Sequence, residues 1–121
     1  SLMMKKFQKT ASLAIEEFKV INDMAPNDPW VHAQLAYSYH DLQMINEEIK
    51  EYETVLELCP EDHESLFRLG VLYFQQEENV KGLQIYEKLK QNNNPKAKHL
   101  LKFYGSLSFI DKDEDSKIER L

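Results

Sequence analysis

The chain is poor in the residues that punctuate a backbone, with three glycines and four prolines in 121 positions. A sheet-rich fold with many tight turns needs more of both, so long helices joined by short turns are expected instead. Cysteine is nearly absent too. Cys59 stands alone, which excludes a disulfide within the chain and points to a reducing, cytoplasmic setting. No run of about 18 apolar residues occurs, so no membrane span is expected. The opening Ser1-Leu2-Met3-Met4-Lys5-Lys6 leads into no uninterrupted apolar stretch, which argues against a secretory signal.

What is present fits a folded domain. Apolar residues make up 42% of the chain and charged residues 30%, a globular balance at a length suited to one continuous core. The formal net charge is −6, but it is unevenly spread. Residues 28–91 hold 13 acids against 5 bases, whereas 92–105 hold Lys96, Lys98 and Lys102 and no acid. An acidic body repels phosphate backbones, so nucleic acid is excluded as a partner and basic or apolar protein segments are favoured.

Sliding the chain by 34 positions superimposes many residues. Pro26 falls on Pro60 and then on Asn94, and Asp28 falls on Asp62. Leu35 falls on Leu69 and Phe103, Ala36 on Gly70, and Tyr39 on Tyr73. In the other half of the period Ala14 matches Gly82, Ile15 matches Ile49 and Leu83, Phe18 matches Tyr52 and Tyr86, and Ile21 matches Val55 and Leu89. Within each period the spacing is helical. His32, Leu35, Ala36, Tyr39 and Leu42 share one helix face, as do Ile45, Ile49, Tyr52 and Leu56. Asp28 before Pro29 reads as an N-cap with proline at the first helical position, and Asp62 as a second cap. Asn46 and Asn79 mark the starts of second helices, and Pro60 ends one. Helices are predicted near 5–24, 29–42, 46–58, 63–76, 79–91 and 96–104, followed by a frayed, charged tail over 106–121.

These residues resemble the tetratricopeptide repeat family, a 34-residue helix–turn–helix unit. Leu66…Leu69-Gly70…Tyr73…Gly82…Tyr86…Leu89 carries the resemblance most fully. Leu35-Ala36…Tyr39…Tyr52…Val55…Pro60 follows it, and Ala14…Phe18…Ile21…Pro26 matches the second half of a unit. The match covers roughly 9–104. It implies an all-α, antiparallel helix-hairpin solenoid with a right-handed superhelix, about six helices in all. The units would fall near 1–28, 29–62 and 63–95, with a capping helix at 96–105. Small residues at Ala36 and Gly70 suit close helix approach, and the tyrosines and leucines fill the space between units. The sequence departs from the pattern at Glu48, which replaces a small residue and is expected either to splay its unit or to lean outward. Asn79 stands where Ala11 and Ile45 are apolar. The first unit lacks most of its first helix. Either the protein extends upstream or Met3–Gln8 lengthens the first helix as a cap.

In such solenoids the first helix of each unit lines a concave groove. The resemblance therefore assigns partner binding to Trp30, Ala33, Gln34, Tyr37, His40 and Asp41 in one unit. In the next it assigns Glu64, Phe67, Arg68, Val71, Phe74 and Gln75, with Leu101 and Lys102 extending the surface. The helix from 63 to 76 is apolar nearly all round, more than one buried face requires. Arg68 reads either as a carboxylate fork or as the partner of Glu64 one turn earlier. The lysines and asparagines with which some members clamp a C-terminal carboxylate are absent from these positions.

No catalytic or metal pattern emerges, so neither an enzyme nor a cofactor is expected. His32 lies in the core stripe and reads as a packed histidine. His40 and Asp41 are helix neighbours that point apart, and Cys59 lies inert at a helix end before Pro60. No phosphate loop, GxSxG or HExxH occurs. Glu47, Glu48, Glu51, Glu53 and Glu57 read as a solvated outer face. The expected function is a protein–protein scaffold that holds a peptide or helix of a partner in an aromatic-lined groove. Two alternatives stay open. One is a fragment of a larger solenoid, or a homodimer formed through the incomplete N-terminal end. The other is a secretion-type chaperone.

Overall fold

The computed structural model describes residues 1–119, and side chains up to Leu107. Among the described residues there are six α-helices and no strand. They are α1 (Leu2–Met24), α2 (Pro29–Asp41), α3 (Ile45–Leu58), α4 (His63–Gln75), α5 (Asn79–Gln91) and α6 (Lys96–Glu119). No helix among them is long and apolar enough to cross a membrane. The chain forms two compact units, Ser1–Leu66 and Phe67–Leu121.

Helix ends follow local chemistry. The backbone N–H of Trp30 donates to Asp28 Oδ1 at 2.9 Å, and Pro29 occupies the first turn, where its missing N–H costs nothing. Asn94 caps α6 in the same way, accepting from Lys96 N–H at 2.9 Å. Ala25 and Cys59 each precede a proline and take nearly the same extended backbone, φ −143° and −140°. A residue before proline is driven from helical angles by the pyrrolidine ring, so α1 and α3 stop there.

The turns after α2, α4 and α5 are alike. Met44 N–H donates to Tyr39 C=O while Gln43 N–H donates to His40 C=O. Glu78 and Glu77 repeat this onto Tyr73 and Phe74, and Asn94 and Asn93 onto Leu89 and Lys90. Each is a Schellman closure, which needs one residue in the left-handed region. That residue is Gln43 at φ 58°, Glu77 at 62° and Asn93 at 53°. Asparagine adopts this backbone at less cost than the longer side chains of Gln43 and Glu77. Gln43→Gly and Glu77→Gly are each expected to raise the unfolding free energy by about 0.5–1 kcal/mol. Urea unfolding that shows no gain for either would contradict this account of the turns.

In the first unit α1 packs on α2, and α2 on α3. Three residues join α2 to α3, and the two run antiparallel: His32 near the start of α2 meets Glu51, while His40 near its end meets Glu48. The core gathers Ile15, Val31, Leu35 and Tyr39, with Phe18 and Leu42 packed against it. Tyr52 is fully buried, its ring edge-on to Tyr37 at 6.4 Å.

In the second unit α4 and α5 are antiparallel. Gly82 lies under the ring of Phe74, and Gly70 lies against Ile85. From α6, Leu100 reaches Gly70, Tyr104 stacks on Phe74 with ring centroids 4.5 Å apart, and Lys96 lies 5.0 Å from the Phe67 ring. Residue numbers rise together along α4 and α6 through these three contacts, so those helices run parallel. The smallness of Gly70 thus has the expected cause, close approach of neighbouring helices.

One boundary differs from the sequence reading. The predicted tail over 106–121 is not set off from the preceding helix, because α6 continues to Glu119, and its last two residues lie outside the described range. The segment is charged but contains neither proline nor glycine after Gly105, and charge alone does not end a helix.

Candidate functional site

On α2 the candidate binding positions lie about half a turn round the helix axis from the core positions. Val31, Leu35, Ala36 and Tyr39 are buried, and Trp30, Ala33, Gln34, Tyr37, His40 and Asp41 fall on the opposite side at three- and four-residue spacing. That side is not uniformly open. Trp30, His40 and Asp41 are exposed, whereas Ala33, Gln34 and Tyr37 are half-buried. Trp30 is the most prominent, with 57% of its surface accessible although it is the largest side chain in the molecule. Its ring is held by Phe18, edge-on at 5.7 Å, and its backbone by the Asp28 cap. A large aromatic is thereby fixed in position but left uncovered.

His40 is exposed but tethered. Its Nδ1 lies 3.2 Å from a carboxylate oxygen of Glu48, with 61% of the His40 side chain open to solvent and 3% of the Glu48 side chain. Glu48 neither leans outward nor splays α2 from α3; it turns inward and meets the imidazole. Set against the sequence, the two units differ here at a matched pair of positions. His40 and Phe74 are 34 positions apart, and so are Glu48 and Gly82. Where the second unit sets a phenylalanine over a glycine, the first sets a histidine against a glutamate. The two exchanges compensate each other, because a carboxylate brought into that space has an imidazole for a partner.

The expected solvated acidic face on α3 is accordingly smaller than the sequence suggested. Glu47 and Glu57 are exposed, but Glu51 reaches back to His32, with Oε2 2.7 Å from Nδ1. The other ring nitrogen of His32 lies 3.3 Å from the Pro26 carbonyl. His32 is buried with both nitrogens near oxygen partners, which is the packed histidine expected from the core stripe. Its bonds tie α2 to α3 and to the loop before α2.

On α4 the candidate set divides. Glu64, Phe67, Arg68 and Val71 are half-buried and Gln75 is exposed. Phe74 is not a groove residue. Only 3% of it is accessible, between Gly82 and Tyr104. The excess of apolar residues around α4 is partly explained by this: Phe74 serves packing with α5 and α6. Lys96 covers the Phe67 ring from α6. Leu101 and Lys102 are exposed.

Among the described residues no group of His, Cys, Asp and Glu is arranged to hold a metal ion. Cys59 is exposed at the end of α3. The sequence reading did not single out the apolar residues of α1 that face away from the core, Leu13, Val20 and Met24 among them. Their recurrence at four- and seven-residue intervals was the available signal.

The class of protein defined so far is an all-helical one whose first unit presents a fixed, exposed tryptophan. No protein-family model matches the chain, and no curated protein matches it closely enough to be counted a relative. The repeat resemblance therefore rests on the residues quoted for it.

Proposed function

We propose that the chain is a protein-binding scaffold, a helix-hairpin solenoid of tetratricopeptide type with no catalytic role, which takes a segment of a partner protein on the outward side of α2. The observation that carries this reading is Trp30, edge-on to Phe18 and more than half exposed. Fixed aromatics of this kind contribute most to protein interfaces, since a large area is buried with little loss of side-chain freedom. Gln34, Tyr37 and Asp41 continue the same side of the helix and supply polar contacts along it. The solenoid reading is supported by the recurrence, 34 positions on, of helix starts at Pro29 and His63 and at Ile45 and Asn79. The left-handed residues Gln43 and Glu77 recur at the same interval.

The 13 acids against 5 bases in 28–91 favour a basic partner segment with an apolar anchor. A displayed library of such segments is expected to yield ligands that lose at least about tenfold in affinity for Trp30→Ala, an effect of ~1.4 kcal/mol or more. Helicity should be unchanged, since the side chain is largely outside the core. Ligands that bind wild type and Trp30→Ala equally would remove α2 as the site. Phe67→Ala tests the α4 candidates separately.

A further inference from the structure

We propose that two copies of this chain associate through α1, antiparallel, using the face of that helix turned away from its own core. The inward face is settled by burial: Ala11 and Ile15 are buried and Phe18 half-buried, at helical spacing. A second stripe runs along the opposite side through Lys6, Lys9, Leu13, Glu17, Val20 and Met24, each three or four residues from the last. All six are exposed. The apolar members are conspicuously so, Val20 at 59% and Met24 at 81%. A helix packed on one side needs no apolar residue on the other, and three of these six are apolar.

Charge along the second stripe selects the occupant and its direction. The bases, Lys6 and Lys9, precede Leu13, and the acid, Glu17, follows it. A second copy in parallel register would set Lys9 against Lys9 and Glu17 against Glu17, which is repulsive at both ends. Reversing the second copy about a two-fold axis at Leu13 sets Lys9 against Glu17 of the second copy twice over. The same register places Leu13 on Leu13 and the aliphatic stem of Lys6 on Val20. It also brings Met24 opposite Leu2, which is exposed as well. Sliding the pair by one turn would put Leu13 against Glu17 one way and against Lys9 the other, so the Leu13 contact and the Lys9–Glu17 pairs choose the same register. With 23 residues α1 is about 34 Å long, and a single helix pair of that length lies at the small end of specific interfaces. Association in the range of ~10–100 µM follows.

Sedimentation equilibrium of the full chain at 5–500 µM (roughly spanning that range) tests the assignment, with circular dichroism to show that each variant keeps its helices. Wild type is expected to dimerise, and more weakly as salt is raised. Leu13→Glu is expected to abolish the dimer by placing two carboxylates on the axis. Lys9→Glu should weaken it by about tenfold or more, since each copy then opposes two acids. Adding Glu17→Lys to Lys9→Glu should restore affinity to within about threefold of wild type, because the double exchange rebuilds both pairs in reverse. A wild-type monomer throughout the range, a dimer indifferent to Leu13→Glu, or a double exchange no better than Lys9→Glu alone would each overturn the proposal. Because every substitution lies on α1, failure here leaves the Trp30 reading intact, and the reverse is equally true.

Discussion

Gly82→Ala is expected to destabilise the protein by about 2 kcal/mol, although alanine is the better helix former by about 0.8–1 kcal/mol. The reason is space. A methyl group added at Gly82 would lie 2.6 and 2.7 Å from ring carbons of Phe74, well inside ordinary contact. The ring has little room to swing away, because Tyr104 stacks on it and the residue is buried. Overpacking of this kind costs about 1–3 kcal/mol or more and outweighs the propensity gain. Gly105 gives the control within the same chain. It lies in α6 with nothing near a would-be methyl group, so Gly105→Ala should stabilise by about 0.5–1 kcal/mol. A methyl group added at Gly70 would lie 2.6–3.1 Å from methyl groups of Leu100 and Ile85, which are side-chain ends in a filled core, and Gly70→Ala should fall between the other two. Urea midpoints that rank the three variants in any other order, or a gain for Gly82→Ala, would refute the placement of Phe74 over Gly82.

The compensating exchange in the first unit predicts a second large effect. His40→Phe removes one partner of a carboxylate that is only 3% accessible and sets an apolar ring beside it, at a cost of about 1–2 kcal/mol. Glu48→Gly alone leaves a void and adds the helix penalty of glycine, again about 2 kcal/mol or more. Together the two changes recreate the phenylalanine-over-glycine contact seen at Phe74 and Gly82. The double variant should therefore be less destabilised than the sum of the singles by at least about 1.5 kcal/mol. Additive losses would mean that the two positions do not share one space.

Much of this was legible beforehand, and the reasons are local. The predicted helix over 29–42 appears as Pro29–Asp41 and that over 79–91 as Asn79–Gln91, because caps and prolines act through bonds a few residues long. The predicted start at 5 moves to Leu2, where the Ser1 side chain caps the helix by accepting from Met4 N–H at 3.2 Å. The α2 candidates were assigned by the repeat resemblance as the positions left over by the core pattern; of these Trp30, His40 and Asp41 are exposed and Ala33, Gln34 and Tyr37 half-buried. The α4 candidates needed more than spacing, because Phe74 and Val71 lie on the same side of that helix and only one of them is covered.

Sequence by itself settled where most helices begin, end and turn, the start of α1 and the end of α6 excepted. Each such choice is made by a capping oxygen, a proline ring or a backbone forced left-handed, all within reach of neighbouring residues. Tertiary structure alone decided the fate of Glu48 and Phe74. A position on a helix has no fixed environment until another helix is laid against it, and whether that space holds a ring, a carboxylate or nothing depends on what the opposing residue leaves. The same dependence covers Phe74 and leaves Trp30 open, since Tyr104 and Gly82 close over the first while Phe18 supports only one edge of the second.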